Sequence, residues 1–179
     1  MSGTSIQLRK FSLDNGRFVT VTLFNAKTYV HIRQFRTEGT SVYPTKFGIS
    51  FLPDRFSRLA SIADDVDDQI KRLSSSEEFT YRRHLGGGVF VEVKSGKYCI
   101  NIRRFFMPDG TTTPIPTKVG ISLRLSEWDK FKNIIGEVKK LSPELENAIP
   151  CYFSLSHSNQ EAMLQCVECN PFGSMDLLY

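Results

Sequence analysis

Apolar and polar residues alternate from Phe18 to Leu23, the period of a half-buried strand. Leu23 to Lys27 then reads as a hairpin connection, and Thr28 to Phe35 alternates again. That second run puts Val30 and Ile32 on one face and Tyr29, His31, Arg33 and Phe35 on the other. Thr37 to Ser41 has turn composition, and short strands are predicted onward to Phe51. Pro53 suits the first turn of a helix. Phe56, Leu59, Ile62, Val66, Ile70 and Leu73 follow at spacings of three and four, one apolar stripe of a single helix. Ser74 to Glu78 breaks the stripe, and Gly86 to Gly88 leads into a second patterned stretch. There Val89, Val91 and Val93 oppose Phe90, Glu92 and Lys94, and Ser95-Gly96 reads as a tight hairpin turn. Tyr98 to Phe105 puts Ile100 and Ile102 inward and Asn101 and Arg103 outward. Met107 to Thr113 forms a longer turn. A second helix is expected with Ser126 as its cap and Trp128, Phe131, Ile135, Val138 and Leu141 as its stripe.

The two patterned stretches are copies. Pro44-Thr45-Lys46-Phe47-Gly48-Ile49-Ser50-Phe51 recurs as Pro116-Thr117-Lys118-Val119-Gly120-Ile121-Ser122-Leu123, a step of 72 positions. Each half reads β-β-β-β-α and, with some 55 residues, is marginal for a core of its own. Packing the halves through an internal two-fold solves that problem, so the fold class expected is α+β, an intramolecular pseudo-dimer. The divisions predicted are an arm (1–16), a first module (17–73), a linker (74–87), a second module (88–141) and an acidic extension (142–179). Within the extension, Ile149 to Leu155 and Ala162 to Val167 are expected to pair as a hairpin across His157 to Gln160.

Charge sharpens the picture. Residues 17–63 carry seven Lys and Arg against two acids, and residues 87–128 carry six against three. The tail from 142 onward carries five acids and no Lys or Arg. Two basic sheets beside an acidic tail form the electrostatic footprint of a polyanion partner. No apolar run reaches the length of a membrane span and no signal pattern opens the chain, so an intracellular protein is expected.

The order Phe18-Val-Thr-Val, Phe24-x-x-Lys27, Ile32-Arg33, Lys46-x-Gly48-Ile49-Ser50 and Ala63-Asp64-Asp65-Val66-Asp67-Asp68 resembles the single-stranded-DNA-binding domain of the positive cofactor four family of transcriptional coactivators. Phe90-Val91-x-Val93, Ile102-Arg103, Lys118-x-Gly120-Ile121-Ser122-Leu123 and Trp128 carry the same resemblance in the second half. Members are homodimers of a β-β-β-β-α unit that hold single-stranded DNA on paired ridges and loops. The resemblance implies a nucleic-acid site of Phe24, Lys27, Arg33, Lys46, Lys94, Lys97, Arg103, Phe106 and Lys118. It further implies a nuclear, monomeric regulator of RNA polymerase II transcription, with single-stranded DNA and transcription machinery proteins as partners. Each half departs from the pattern in one aromatic: Ser95-Gly96 replaces the loop aromatic of the second, and Arg36 replaces the other aromatic of the first. Thr22 also stands where the family has an Arg that Lys94 retains in kind. The halves therefore complement each other along one asymmetric path, or binding is weaker than in the family. The alternatives are a protein-interaction module with reduced DNA binding and a replication or repair accessory on melted DNA.

Other chemistries are weaker. His31, His84 and His157 are scattered with no catalytic motif around them, so no enzyme is expected. The Asp64 to Asp68 cluster reads as a solvated helix face without the central Gly of a calcium loop. Cys166-x-x-Cys169 has metal-ligand spacing, but its separation from Cys151 and His157 matches no familiar zinc module. The four cysteines are therefore expected as free thiols, with no metal and no cofactor.

Overall fold

A computed structural model of the chain describes residues 3–157 and 160–173. Its strands are β1 (Ser5–Asp14), β2 (Arg17–Phe24), β3 (Lys27–Glu38), β4 (Ser41–Phe51), β5 (Thr80–Gly86), β6 (Val89–Lys94), β7 (Cys99–Phe106) and β8 (Ile115–Arg124). They make one antiparallel sheet in the order β1-β2-β3-β4-β8-β7-β6-β5. Each half is thus a four-stranded meander, and the halves join edge to edge where Gly48 of β4 lies opposite Gly120 of β8. The duplicated motif is the seam of the molecule.

The alternation read from the sequence sets the two faces. Val19, Val21, Val30, Ile32, Ile49 and Phe51 turn inward in the first half, as do Val89, Val91, Val93, Ile100, Ile102, Ile121 and Leu123 in the second. Helices α1 (Pro53–Ser61), α2 (Ala63–Arg72) and α3 (Leu125–Lys139) cover that face with Phe56, Leu59, Val66, Trp128, Phe131 and Val138. They do not stay on their own halves. Helix α1 packs on β5, α2 packs on β6, and α3 packs on β1 as well as on β7 and β8. Phe56 and Phe131 meet edge to face across this junction at 6.2 Å. One continuous core results, with each deeply buried aliphatic or aromatic side chain contributing about 1.5–3 kcal/mol of transfer free energy.

Several expectations are corrected. Residues 5–14, expected as an arm, are edge strand β1, paired along β2. Only Phe11 and Leu13 of that strand are buried, and a register shift between Gln7 and Arg9 interrupts its alternation. Its strand state comes from the neighbour, not from its own pattern. Residues 80–86, expected as linker, are β5, which turns through Gly87-Gly88 into β6. Gly86, Gly87 and Gly88 all have positive φ, the reason glycine occupies that hairpin. The long helical stripe is broken at Ile62, whose N–H bonds to the Leu59 carbonyl, leaving α1 and α2. Helix α3 starts one residue before Ser126. Arg124 is its cap, and the Arg124 N–H donates to Glu127 Oε1 at 2.8 Å.

The expected C-terminal hairpin does not form. The segment instead holds α4 (Pro143–Glu146), 3₁₀ turns at Cys151–Phe153 and Leu155–His157, and α5 (Gln160–Gln165). Residues 158 and 159 of the expected turn, residues 1 and 2 of the expected arm, and residues 174–179 of the acidic extension lie outside the described residues. The extension docks on the modules: Thr28 N–H donates to Glu144 Oε2 at 3.1 Å, and Ser57 Oγ donates to the Ala148 carbonyl at 3.0 Å. Among the described residues no helix is long and apolar enough to cross a membrane.

Candidate nucleic-acid interface

The sheet face opposite the helices carries the other half of the alternation. In the first half it presents Phe18, Thr20 and Thr22 from β2, Tyr29, His31, Arg33 and Phe35 from β3, and Ser50 from β4. The second half presents Phe90, Glu92 and Lys94, then Asn101, Arg103 and Phe105, then Ser122.

Arg33 and Arg103 are anchored identically. Arg33 Nη1 donates to the Thr45 carbonyl at 2.9 Å, and Arg103 Nη1 donates to the Thr117 carbonyl at 3.0 Å. Both carbonyls sit in a bulge where β4 or β8 loses register with its partner. Thr45 Oγ1 donates to the Gln34 carbonyl and accepts the Phe47 N–H, while Thr117 Oγ1 donates to Arg104 and accepts Val119. The motif threonine therefore holds the bulge, and the bulge projects Lys46 and Lys118 into solvent on either side of the seam. The motif glycine permits the close approach beneath it. A Cβ on Gly48 would lie 2.5 Å from the Ile32 carbonyl oxygen, and one on Gly120 would lie 2.6 Å from that of Ile102.

The turns carry the remaining residues. Phe24 and Lys27 pair across Asn25-Ala26, both of positive φ, and Phe24 stays 37% exposed. Lys94 and Lys97 flank Ser95-Gly96 in the second half, both exposed. Phe106, 46% exposed, pairs with Ile115 at the far end of β7. Lys27, Lys46, Lys94, Lys97, Lys118, Arg33 and Arg103 form no ion pair among the described residues. Their charge is available to an external anion. The nine residues lie at the seam bulges and the strands beside them, at the two β-turns and at the end of β7.

Several residues of this face escape a reading of the sequence. Lys10 of β1 lies 4.2 Å from both the Phe18 and Phe35 ring centroids, a cation over an edge-to-face pair. Arg82 of β5 occupies the corresponding place over Phe105, but it also binds Glu92 at 2.6 Å. Both belong to strands whose own patterns are too weak to reveal them. Ser5, Thr22, Phe24, Tyr29, His31 and Ser50 line a groove of about 310 Å³. Within it His31 contacts Thr22 Oγ1 at 2.8 Å and Ser50 Oγ at 2.6 Å. Burial first, then the Arg33 guanidinium, holds this imidazole below the usual histidine range, so it offers an uncharged ring beside Tyr29.

The second half is covered differently. Phe172 of the extension stacks on Phe90 with centroids 6.3 Å apart and planes 8° from parallel. The extension also gathers Cys151, His157, Cys166 and Cys169, whose side-chain donor atoms all lie within 4.8 Å of one another. Among the described residues these four form a group that could hold a metal ion.

Against known proteins, the model of the family described as Transcriptional Coactivator p15 (PC4) matches residues 11–62 and 89–134, one segment in each half. The RNA polymerase II transcriptional coactivator KIWI of Arabidopsis thaliana is 34% identical over 90 residues, which cover 49% of this chain and 75% of that protein. No solved structure matches at a significant level.

Proposed function

The chain belongs to the Transcriptional Coactivator p15 (PC4) family, and we propose that it binds single-stranded DNA with little sequence preference as a nuclear coactivator of RNA polymerase II transcription. The observation that carries this reading is the open face itself. Cations without acidic partners, Arg33 and Lys46 in one half and Arg103 and Lys118 in the other, repeat across the Gly48–Gly120 seam, and each half adds one exposed aromatic, Phe24 or Phe106. Lys and Arg neutralise phosphates and release counterions, while an aromatic ring stacks on any base. A face built from those two contacts tolerates sequence and requires unpaired bases.

The binding unit is the monomer, with residues 5–73 and 80–141 as its two modules. The first half supplies Phe24, the groove beside His31 and the Lys10-capped aromatic pair. The second half supplies Phe106 and the Lys94–Lys97 turn. The function is non-catalytic, and partner proteins of the transcription machinery are expected to meet the surfaces the DNA leaves free.

A second reading follows from the covering of Phe90 by Phe172 and the Arg82–Glu92 pair, which reduce the open basic area of the second half. It assigns the protein to protein–protein interaction with reduced DNA affinity. One titration separates the two: labelled oligothymidylate followed by fluorescence anisotropy across salt, with unlabelled duplex as competitor. Salt-sensitive binding that duplex fails to displace supports the first reading. Absence of binding at low salt overturns it in favour of the second.

A further inference from the structure

We propose that Cys151, His157, Cys166 and Cys169 bind one zinc ion that folds the C-terminal extension and pins it to both modules.

The distances fit a tetrahedral ion. Cys151 Sγ lies 3.8 Å from Cys166 Sγ and 3.8 Å from His157 Nε2, and Cys169 Sγ lies 3.5 Å from the same nitrogen. Zinc bonds of about 2.3 Å to sulfur and about 2.0–2.1 Å to nitrogen give tetrahedron edges of roughly 3.8 Å between sulfurs and roughly 3.5 Å from sulfur to nitrogen. A disulfide needs sulfurs about 2.05 Å apart, and all four cysteines are free. Three thiolates and an imidazole suit zinc and leave no open position, the composition of a structural site.

The surroundings orient the ligands. Ser154 Oγ donates to the Cys151 carbonyl at 2.8 Å, which leaves its lone pairs to face His157 Nδ1 at 2.5 Å. With the proton on Nδ1, Nε2 is bare and points at the thiols. A metal-bound histidine donates its other ring N–H to a fixed acceptor in this way. The Asn170 N–H closes the Cys166–Cys169 turn by donating to the Cys166 carbonyl at 2.8 Å.

Packing alone does not account for this fold. Leu155 is 96% exposed and Val167 is 78% exposed, while Cys169 is fully buried. A segment this small, with Leu155 and Val167 outside, Cys169 buried and Cys151 and Cys166 half-buried, needs a staple. The staple also fixes the docking contacts. Glu168, inside the Cys166–Cys169 turn, receives both Nε and Nη2 of Arg55 at 2.5 and 2.7 Å, and its carbonyl receives the Gly87 N–H at 2.8 Å. Tyr152, next to Cys151, meets buried His84, and Phe172, three residues past Cys169, covers Phe90.

The test uses the full chain, purified reduced and without chelator, and zinc measured by mass spectrometry of the element. One equivalent is expected, retained in Cys99→Ser and lost in Cys169→Ser. Cobalt(II) added to the metal-free wild-type chain should give the intense visible bands and thiolate charge transfer of a tetrahedral site, discharged by zinc. Those spectra need no variant to fold. No bound zinc together with no tetrahedral cobalt spectrum overturns the proposal, as does full zinc content in Cys169→Ser.

Discussion

Phe24 and His84 show how much one position decides. Phe24 stands beside a turn whose two central residues have positive φ, and its ring stays partly exposed in the groove it shares with Tyr29 and His31. Base stacking on it is worth about 1–3 kcal/mol, so Phe24→Ala should weaken oligothymidylate binding by that amount in the anisotropy titration. His84 is buried, accepts the Gly88 N–H at Nε2 and meets Tyr152 at Nδ1. Burial, then Arg55 and Arg58, pushes its imidazole down to about 3 from the usual 6.5. Above pH 6.5 the ring is neutral folded or unfolded. Below it the unfolded chain takes up a proton that the folded chain refuses, so stability is lost as pH falls, by about 1.4 kcal/mol per unit. Urea unfolding at pH 7 and pH 5 should differ by about 2 kcal/mol on this account, and His84→Gln should remove that part of the difference.

At the scale of elements, the helices bind the halves more than the strands do. The β4–β8 junction holds a single opposed pair, whereas α2 and α3 are joined by specific polar contacts. The Trp128 indole N–H donates to Asp67 Oδ1 at 2.8 Å, and Lys132 pairs with both Asp64 and Asp67. The acidic run on α2 is thus not uniformly a solvated face: Asp67 serves the junction, while Asp68 makes an exposed pair with Lys71. Asp67→Ala strands a buried donor and should cost about 1–3 kcal/mol in chemical denaturation. Asp68→Ala should cost under about 1 kcal/mol. The pseudo-symmetry is broken at the ends of the seam. Arg17 of β2 reaches buried Glu127 of α3 at 3.0 Å, but the position matching Glu127 is Arg55, which turns to the extension's Glu168.

For the whole molecule, a sheet that runs unbroken from β1 to β5 in one chain already contains the two-fold that an isolated module would need from a second copy. Light scattering should therefore give the monomer mass at micromolar concentration, and a discrete dimer would mean that halves pair between chains. The seam also places Lys46 and Lys118 on its two sides. Lys46→Glu combined with Lys118→Glu should weaken DNA binding strongly while leaving the unfolding midpoint near wild type. Loss of two phosphate contacts should flatten the slope of log affinity against log salt by about 1.4, at about 0.7 per contact on single strands.

The sequence by itself determined the duplication, the buried face of every strand with a clear alternation, the two helical stripes and the family resemblance. Those are local signals: a period of two or of three to four residues is written in consecutive positions, and a repeat is visible without knowing where it lands. Tertiary structure decided what depends on neighbours. Strands β1 and β5 exist because β2 and β6 offer them ladders, although their own residues alternate poorly. Lys10 and Arg82 joined the open face only once those strands were in place. Asp67 was distinguished from Asp68 by one indole, and Phe172 acquired a role through Phe90. The cysteines and His157 came together because successive turns fold spacings that match no familiar zinc module into one small volume. A ligand set of that kind is a property of distances in space, which positions along a chain do not carry.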